Sequence, residues 1–261
     1  MLEKLLIIGV ALGILSTSAS AQTGGNGLLG PSSSPNDAPY NKQICQIPQA
    51  TLRQFQAALD FVVTPGHFAT DPSGYPNGGI FNPNMMWLAV VDRTGTLCLV
   101  IKSTVPETSG SPPDPWPGSR DIAIAKANAA NGFSNNLLAL STANLYAPTQ
   151  PGGSLYGLNN SNPFNPTFNA QGTGLGFVPG GVITFGGGVA LYPESQGPVI
   201  GGLGVSGDTS CADHAIAYRV RARLQLNNTP TSDNIMYCAS GSTTCNTGFM
   251  QPHCTTHDIT P

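Results

Sequence analysis

Between Gly204 and Leu224 the chain has the sequence GVSGDTSCADHAIAYRVRARL, in which several side chains can bind a ligand or stabilise a helix. His214, Tyr218 and Arg221 recur at i, i+4 and i+7, which places them on one face of a predicted helix. An imidazole can ligate haem iron, and a guanidinium can pair with a propionate carboxylate. The pattern is compatible with a haem-binding or partner-binding surface that includes His214, although such a face taken alone is more often ordinary helix surface. The alternative is an ordinary solvated or subunit-facing helix surface.

The first residues of this helix are also explained by capping. Thr209 or Ser210 can serve as the N-cap, and Ser210 followed by Asp213 approximates a capping box. Asp213 is predicted to lie at the buried edge of the first turn, because the apolar stripe of the helix runs beside it. There its carboxylate can accept backbone amides and complement the helix dipole. We therefore expect a structural role for Asp213.

Two known sequence motifs, a nucleotide-binding turn and a nucleophile elbow, fit this region poorly. Gly202, Gly204 and Gly207 match the G-x-G-x-x-G pattern of nucleotide-binding turns, but no second parallel strand is predicted after the helix. Ser206 lacks the glycine two positions later that a nucleophile elbow requires. Nucleotide binding and serine hydrolysis are therefore not expected.

Histidines and cysteines elsewhere offer further ligands. His67 follows the Pro-Gly pair that ends the first predicted helix and is a second candidate ligand, although a lone histidine there is more often a cap or a surface group. The C-terminal tail carries zinc-ligating residue types, namely Cys238, Cys245, His253, Cys254 and His257. The spacing of the first two is too wide for a usual zinc knuckle. In an exported chain the six cysteines are expected to form disulfides, whose pairing stays open; a local Cys238–Cys245 loop is one expectation.

The elements that must position these side chains follow from periodicity and turn residues. Helical spacing of apolar residues predicts a helix over PQATLRQFQAALDFVV, and a second helix begins at Ser119 in SRDIAIAKANAANGF. The segment MMWLAVVDRTGTLCLVIKS is predicted to be a β-hairpin with its turn at residues 92–95. GGVITFGGGVALY and PVIGGLGVS add strands before the last helix. Adjacent hairpins favour an α/β chain of the α+β type, with an antiparallel sheet and packed helices, over a doubly wound parallel sheet.

The chain is expected to comprise four parts. Residues 1–21 combine a lysine, a short apolar run and an Ala-Ser-Ala exit, which predict a signal peptide and a periplasmic or secreted protein without a membrane anchor after cleavage. Residues 22–44 form a flexible leader rich in Gly, Ser, Pro and Asn. Residues 45–226 form one domain with a long loop insertion at about 148–177, and residues 227–261 form a cysteine-containing tail. Only 9% of the residues are charged and the net charge is −3, so nucleic acid is not an expected partner.

Three segments, in this order, resemble the GlcG/HbpS family of haem-binding proteins: WLAVVDRTGTLCLV, SRDIAIAKANAANGFS and GGLGVSGDTSCADHAIA. That family is also described as a haem-degrading domain and is related to the C-terminal domain of PduO-type corrinoid adenosyltransferases. The resemblance runs from about Pro48 to Leu226. Its most specific parts are VVDRTGTL, the Lys126-Ala127 pair, and GVSG followed by Asp213. It implies a PAS- or profilin-like domain with an antiparallel sheet of about five strands flanked by helices.

The resemblance also implies haem as cofactor, haem or a related tetrapyrrole as partner, and assembly into homo-oligomers. Haem ligation varies within the family, so only Lys126 and the segment 204–213 correspond position by position. The candidate cofactor-binding residues are His214, Tyr218, Arg221, His67 and Lys126, with His214 as the metal ligand.

We expect an exported protein that sequesters, relays or senses haem. The sequence shows no catalytic constellation, so an enzyme is the less favoured interpretation. A haem-dependent peroxidase-like or haem-degrading activity is one alternative. A ligand-free oligomeric sensor-accessory protein or a corrinoid-binding protein is another.

Overall fold

The computed structural model describes residues 45–261 except 71–73, 75, 82–83, 107–109, 112, 162–180, 240–241, 243–244 and 246–247. The predicted signal peptide and leader lie outside the described residues, as do residues 162–177 of the predicted loop insertion. Within the described part of the chain, no helix is both long enough and apolar enough to cross a membrane.

The described residues form five α-helices and four β-strands. In chain order these are α1 (Gln49–Leu52), α2 (Gln54–Val63), β1 (Trp87–Asp92), β2 (Leu97–Lys102), α3 (Pro117–Phe133), α4 (Leu158–Ser161), β3 (Gly188–Leu191), β4 (Gly201–Ser206) and α5 (Ser210–Arg223). A 3-10 turn spans Ala147–Thr149. The second predicted helix begins two residues before Ser119, because Pro117 occupies its first turn, where a missing N–H costs nothing.

The sheet is antiparallel throughout, in the order β2-β1-β4-β3. The predicted hairpin is confirmed as β1 and β2. Asp92 shapes its turn, because one carboxylate oxygen accepts the backbone amides of Thr94 at 2.9 Å and Thr96 at 3.1 Å. Such side-chain bonds to the backbone two residues on are typical of Asp in turns.

Both faces of the sheet are covered by helices. Leu88 and Val90 belong to the main core with α2 and α5, whereas Ala89 and Val91 pack with α3. Alternate residues of a strand point to opposite faces, so a strand buried on both sides is apolar without interruption. The predicted α+β class, an antiparallel sheet flanked by helices, is confirmed.

The sheet has four strands in the described residues, one fewer than the expected number of about five. The difference lies in GGVITFGGGVALY, of which only Gly188–Leu191 pairs as a strand. The glycines at 186–188 lie in close packing contact with α3, β4 and α5. Glycine weakens strand formation and marks such close approaches, which explains why the apolar run before them does not extend the sheet.

The glycines of β4 allow α3 to lie directly on the sheet. A Cβ added at Gly202 would meet the carbonyl oxygen of Ala127, and one at Gly204 would meet that of Ala123. The G-x-G-x-x-G match is thus explained by helix–strand packing.

We expect Gly204→Ala to lower the free energy of unfolding by about 1–3 kcal/mol, the usual cost of overpacking. The added methyl group must displace the backbone of α3, because its nearest contact is the Ala123 carbonyl oxygen. Urea unfolding of the disulfide-intact protein measures the change. Gly132→Ala is the matched control, since a Cβ there meets no atom within 4 Å; equal stability of both variants would contradict the packing explanation.

Three disulfides connect all six cysteines. Cys45–Cys98 joins the start of the domain to β2, with a Cα–Cα distance of 5.4 Å. Cys211–Cys254 joins α5 to the tail, with a Cα–Cα distance of 6.0 Å. The expected local Cys238–Cys245 loop is confirmed. Because no thiol is free, the cysteines offer no zinc ligands in this state, and the disulfides indicate an oxidising compartment.

Candidate functional site

The start of α5 is capped as the sequence predicts. Thr209 is the N-cap, and its hydroxyl accepts the backbone amide of Ala212 at 3.2 Å. One carboxylate oxygen of Asp213 accepts the backbone amide of Asp208 at 3.0 Å. The structural role expected for Asp213 is therefore confirmed: its carboxylate ties the helix to Asp208, the residue before the N-cap.

The other carboxylate oxygen of Asp213 forms a buried ion pair with Lys126. The Lys126 Nζ lies 2.7 Å from Asp213 Oδ2 and also donates to the carbonyl oxygen of Val205 at 3.0 Å. Both side chains are almost entirely buried. Burial raises the pKa of Asp213 to about 6 and lowers the pKa of Lys126. Lys126, a predicted cofactor-binding residue, thus has its ammonium group occupied inside the fold.

His214, Tyr218 and Arg221 lie together, as their spacing predicts. The ring centroids of His214 and Tyr218 are 6.0 Å apart, and the Arg221 guanidinium lies 4.8 Å from the Tyr218 ring. The expectation that this face is open surface is wrong, because His214 and Arg221 are both 0% exposed. Asp233 and Asn234 of the C-terminal tail lie against Arg221 and His214.

Arg221 is occupied by a carboxylate of the protein itself. Its two terminal nitrogens contact the two oxygens of Asp233 at 2.5 and 2.6 Å, and one of them also donates to the Ala190 carbonyl oxygen at 2.9 Å. Sequence reasoning recognised that Arg221 suits a bidentate carboxylate but missed Asp233. In the closed molecule this guanidinium is not available to a haem propionate.

His214 is an unusual buried side chain. The Asn234 side chain of the tail is its polar neighbour and hydrogen-bonds to the ring. Desolvation by burial lowers the pKa of His214 to about 3, so the ring is neutral at physiological pH. A neutral imidazole can ligate a metal, but His214 is 0% exposed.

His67, the second candidate ligand, is exposed. Its Nδ1 lies 2.8 Å from the carbonyl oxygen of Phe61, and the two rings stack with centroids 4.1 Å apart. Because a carbonyl oxygen only accepts, Nδ1 must donate the proton, which leaves the lone pair on Nε2. Metal-ligating histidines are usually oriented by a hydrogen bond from their second nitrogen to a carboxylate, a backbone carbonyl or water.

Aromatic and cationic side chains surround His67. Arg223 lies 3.4 Å from the Phe61 ring centroid, and Arg219 lies 4.4 Å from the ring of Phe68. We call these five residues, His67, Phe61, Phe68, Arg219 and Arg223, the His67 patch. Sequence reasoning missed four of them. The spacing of the two arginines on one face of α5 was an available signal, but their aromatic partners come from α2 and the loop after it.

The candidate residues therefore lie in two places. The first half of α5 carries Asp213, the partner of Lys126, and His214, which is covered by the tail. The last turns of α5 carry the arginines of the His67 patch. The His67 patch fits haem, because it combines an accessible oriented imidazole, apolar rings and guanidinium groups for propionates. A cavity of about 490 Å³ opens near Gln54 and Asn228, and no candidate residue lines it.

A family model described as "Haem degrading protein HbpS-like" matches residues 84–222, which is more than half of the chain. Lys126 and α5 lie inside this match, whereas His67 and the tail lie outside it. No curated protein matches the chain.

Solved structures resemble it as well. One is the crystal structure of the Klebsiella pneumoniae protein ORFY, family-model DUF336, with 25% identity, a TM-score of 0.43, and coverage of 70% of this chain and 92% of that chain. Another is the crystal structure of a PduOC:heme complex, with 28% identity, a TM-score of 0.39, and coverage of 55% of this chain and 81% of that chain.

Proposed function

Because the chain belongs to the HbpS-like family of haem degrading proteins, we propose that it is an exported haem-binding protein and that His67 ligates the iron. One observation carries the choice of ligand: His67 is exposed, and its Nδ1 donates to the Phe61 carbonyl oxygen, so that Nε2 holds the lone pair. His214, by contrast, is 0% exposed and has the tail residue Asn234 as its hydrogen-bond partner.

The rest of the His67 patch supports the proposal. Phe61 and Phe68 place apolar side chains beside the imidazole, and the guanidinium groups stacked on their rings, those of Arg223 and Arg219, offer positive charge to the propionates of a porphyrin. Arg219 is less available to a propionate, because it already donates hydrogen bonds to the Pro76 carbonyl oxygen and to Asn77 Oδ1. Arg223 is exposed and is the better propionate partner. Bound haem supplies a redox-active iron, while these side chains hold and orient it.

Export and self-assembly belong to the same proposal. The predicted signal peptide and the three disulfides support a periplasmic or secreted location. Ile80, Phe81 and Trp116 are large apolar side chains about half exposed, at 54%, 48% and 54%. Such a cluster is suited to contact between copies of the chain in a homo-oligomer.

We expect His67→Ala to weaken haemin binding by at least about tenfold, since even loss of a second-shell partner costs 10- to 100-fold at metal sites. The measurement is a haemin titration of the oxidised mature protein, followed through the Soret band. His253→Ala is the matched control, because His253 is also partly exposed and stacked on an aromatic ring, Tyr237, with centroids 4.3 Å apart. We expect the control to bind haemin like the wild type.

Three other results would change or overturn the proposal. Saturable binding that survives His67→Ala discards this ligand but keeps haem binding. A Soret band that bleaches in the presence of a reductant, with release of iron, favours the haem-degrading alternative. Absence of saturable binding by the wild-type protein overturns the proposed function.

A further inference from the structure

We infer that Cys211, Cys254, Asp258 and His253 form a zinc site in molecules whose Cys211–Cys254 disulfide is reduced. The inference goes beyond haem binding and does not depend on it. The tail stays where it is, and only the bond between the two sulfur atoms is exchanged for bonds to the metal ion.

The ligand atoms are already close together. The sulfur atoms of Cys211 and Cys254 and a carboxylate oxygen of Asp258 all lie within 4.8 Å of one another. His253 adds a nitrogen, because its Nδ1 lies 3.5 Å from Asp258 Oδ2. Ligand atoms bound tetrahedrally to zinc are about 3.3–3.8 Å apart, given bonds of about 2.0–2.3 Å. Small rotations of these side chains therefore complete the site.

Hydrogen bonds hold this part of the tail on α5 independently of the disulfide. The Gln251 side chain is the main contact, and the residue is only 2% exposed. Its Oε1 accepts the backbone amide of Gly186 at 2.7 Å. Its Nε2 donates to Ser210 Oγ at 3.1 Å and to Cys211 Sγ at 3.4 Å. Because these contacts remain after reduction, the two cysteines stay opposite each other.

The start of α5 stabilises the thiolate that zinc needs. Cys254 Sγ accepts the backbone amide of Cys211 at 3.2 Å and lies 3.2 Å from Ser210 Oγ. The first amides of a helix lack internal partners and favour a negative charge, and thiolates are stabilised at such positions. Donors to a metal-bound sulfur also orient it.

Charge favours a bound cation over two free thiolates. Two thiolates and the Asp258 carboxylate would place three negative charges within 4.8 Å of one another. The Asp258 side chain is 1% exposed, so water screens this repulsion poorly. A divalent cation compensates the charge, and thiolate and imidazole ligands select zinc over magnesium and calcium.

A second trio of possible ligands, Cys45, Asp92 and Cys98, is equally compact but differs at the carboxylate. Asp92 accepts four hydrogen bonds from the described residues, as many as the about four lone-pair sites of a carboxylate. Asp258 accepts three. Asp258 therefore keeps a lone pair for a metal ion, and the inference is confined to the tail.

Loading of zinc requires a reductant of the dithiol class. Its thiolate attacks one sulfur of the disulfide, and its second thiol then releases the mixed disulfide. Cys211 and Cys254 gain two electrons and two protons and become thiols, while the external dithiol becomes a disulfide. Zinc then replaces the two thiol protons, which are released to solvent.

The test measures how zinc protects individual cysteines of the haem-free wild-type protein from alkylation. The protein is reduced without oxygen by a phosphine, which competes for zinc less than a dithiol does, and each cysteine is followed by peptide mass spectrometry. At free zinc about tenfold above Kd, alkylation of Cys211 and Cys254 should slow by about tenfold, because only the zinc-free fraction reacts. Cys238 and Cys245, the other pair in the tail, are the internal control and should react at an unchanged rate.

Asp258→Asn tests the carboxylate. We expect it to weaken zinc binding by at least about tenfold, because loss of an outer-shell partner alone costs 10- to 100-fold at metal sites. Cobalt, used in place of zinc, should give the visible spectrum of a tetrahedral ion with thiolate ligands in the wild type and a weaker one in the variant at equal concentration. Asp114→Asn is the matched control at an exposed aspartate and should bind like the wild type.

Three results would overturn the inference. They are unchanged alkylation of Cys211 and Cys254, equal protection of all six cysteines, and zinc affinity that Asp258→Asn leaves intact. Where far-UV circular dichroism shows that the fully reduced chain is unfolded, reduction is limited. Only molecules that have gained two thiols, at Cys211 and Cys254, are then counted by intact-protein mass spectrometry. Absence of zinc protection in that population overturns the inference as well.

Discussion

Replacing Lys126 with methionine lowers the free energy of unfolding by about 3–5 kcal/mol at neutral pH, the usual cost of removing one partner of a buried ion pair. Methionine fills a similar volume but leaves the Asp213 carboxylate buried without its counter-charge, since Lys126 Nζ is 2.7 Å from Asp213 Oδ2. The pKa of Asp213 is already raised to about 6 by burial, and loss of the ammonium group raises it further. Urea unfolding with the disulfides intact measures the loss.

The same variant should be least impaired in acid. A carboxyl group with a raised pKa contributes stability below its unfolded value of 3.8 and loses that contribution as the pH rises through the folded value. The deficit of Lys126→Met is therefore smaller at pH 4 than at pH 7.

The double variant Lys126→Met/Asp213→Asn is the control for this cost. It removes the charge but keeps an oxygen for the Asp208 amide, and it should recover most of the loss. A double variant as unstable as the single one would show that the cost comes from packing and not from the uncompensated charge.

Acidification of the wild-type protein from pH 7 to pH 4.5 costs about 2–3 kcal/mol more than the same change in a His214→Leu variant. The pKa of His214 is lowered to about 3 by burial, with Asp233 opposing this shift and Arg221 and Lys126 adding to it. The unfolded chain has a pKa near 6.5 at this residue. Between these two pKa values the unfolded state binds a proton at this histidine and the folded state does not. The free energy of unfolding therefore falls as the pH falls.

Urea unfolding of the haem-free protein at both pH values measures this difference. Asp213, whose pKa is raised, contributes a slope of the opposite sign. It is present in both proteins and cancels in the comparison. Parallel pH dependences of the wild type and His214→Leu would contradict the prediction and would mean that the ring takes up a proton inside the fold.

The local elements of this protein could be predicted from the sequence. The hairpin of β1 and β2, the helix that begins after Thr209 and the Cys238–Cys245 loop are all present. Each depends on residues close together in the chain: turn chemistry at Asp92, a cap at Thr209, and two cysteines separated by 7 positions. The described residues 181–185 do not form the expected strand, because the glycines that follow them, at 186–188, approach neighbouring elements closely.

The candidate sites could be predicted only in part. The sequence placed His214, Tyr218 and Arg221 on one helix face, because helical spacing alone determines that. It did not show what covers the face, because Asp233 and Asn234 come from a tail whose described residues form no helix or extended strand. The His67 patch was missed for a similar reason: two rings near the end of α2 meet two arginines near the end of α5.

The sequence by itself determined the sheet-and-helix architecture, the cysteine-rich tail and the resemblance to a haem-binding family. Only the tertiary structure decided that Lys126 and Asp213, 87 positions apart, form one buried ion pair, that His214 is covered, and that His67 is accessible. The physical reason is the range of the interactions. Periodicity, capping and turns act over a few residues, whereas burial, pKa shifts and ligand access depend on which distant segments pack together.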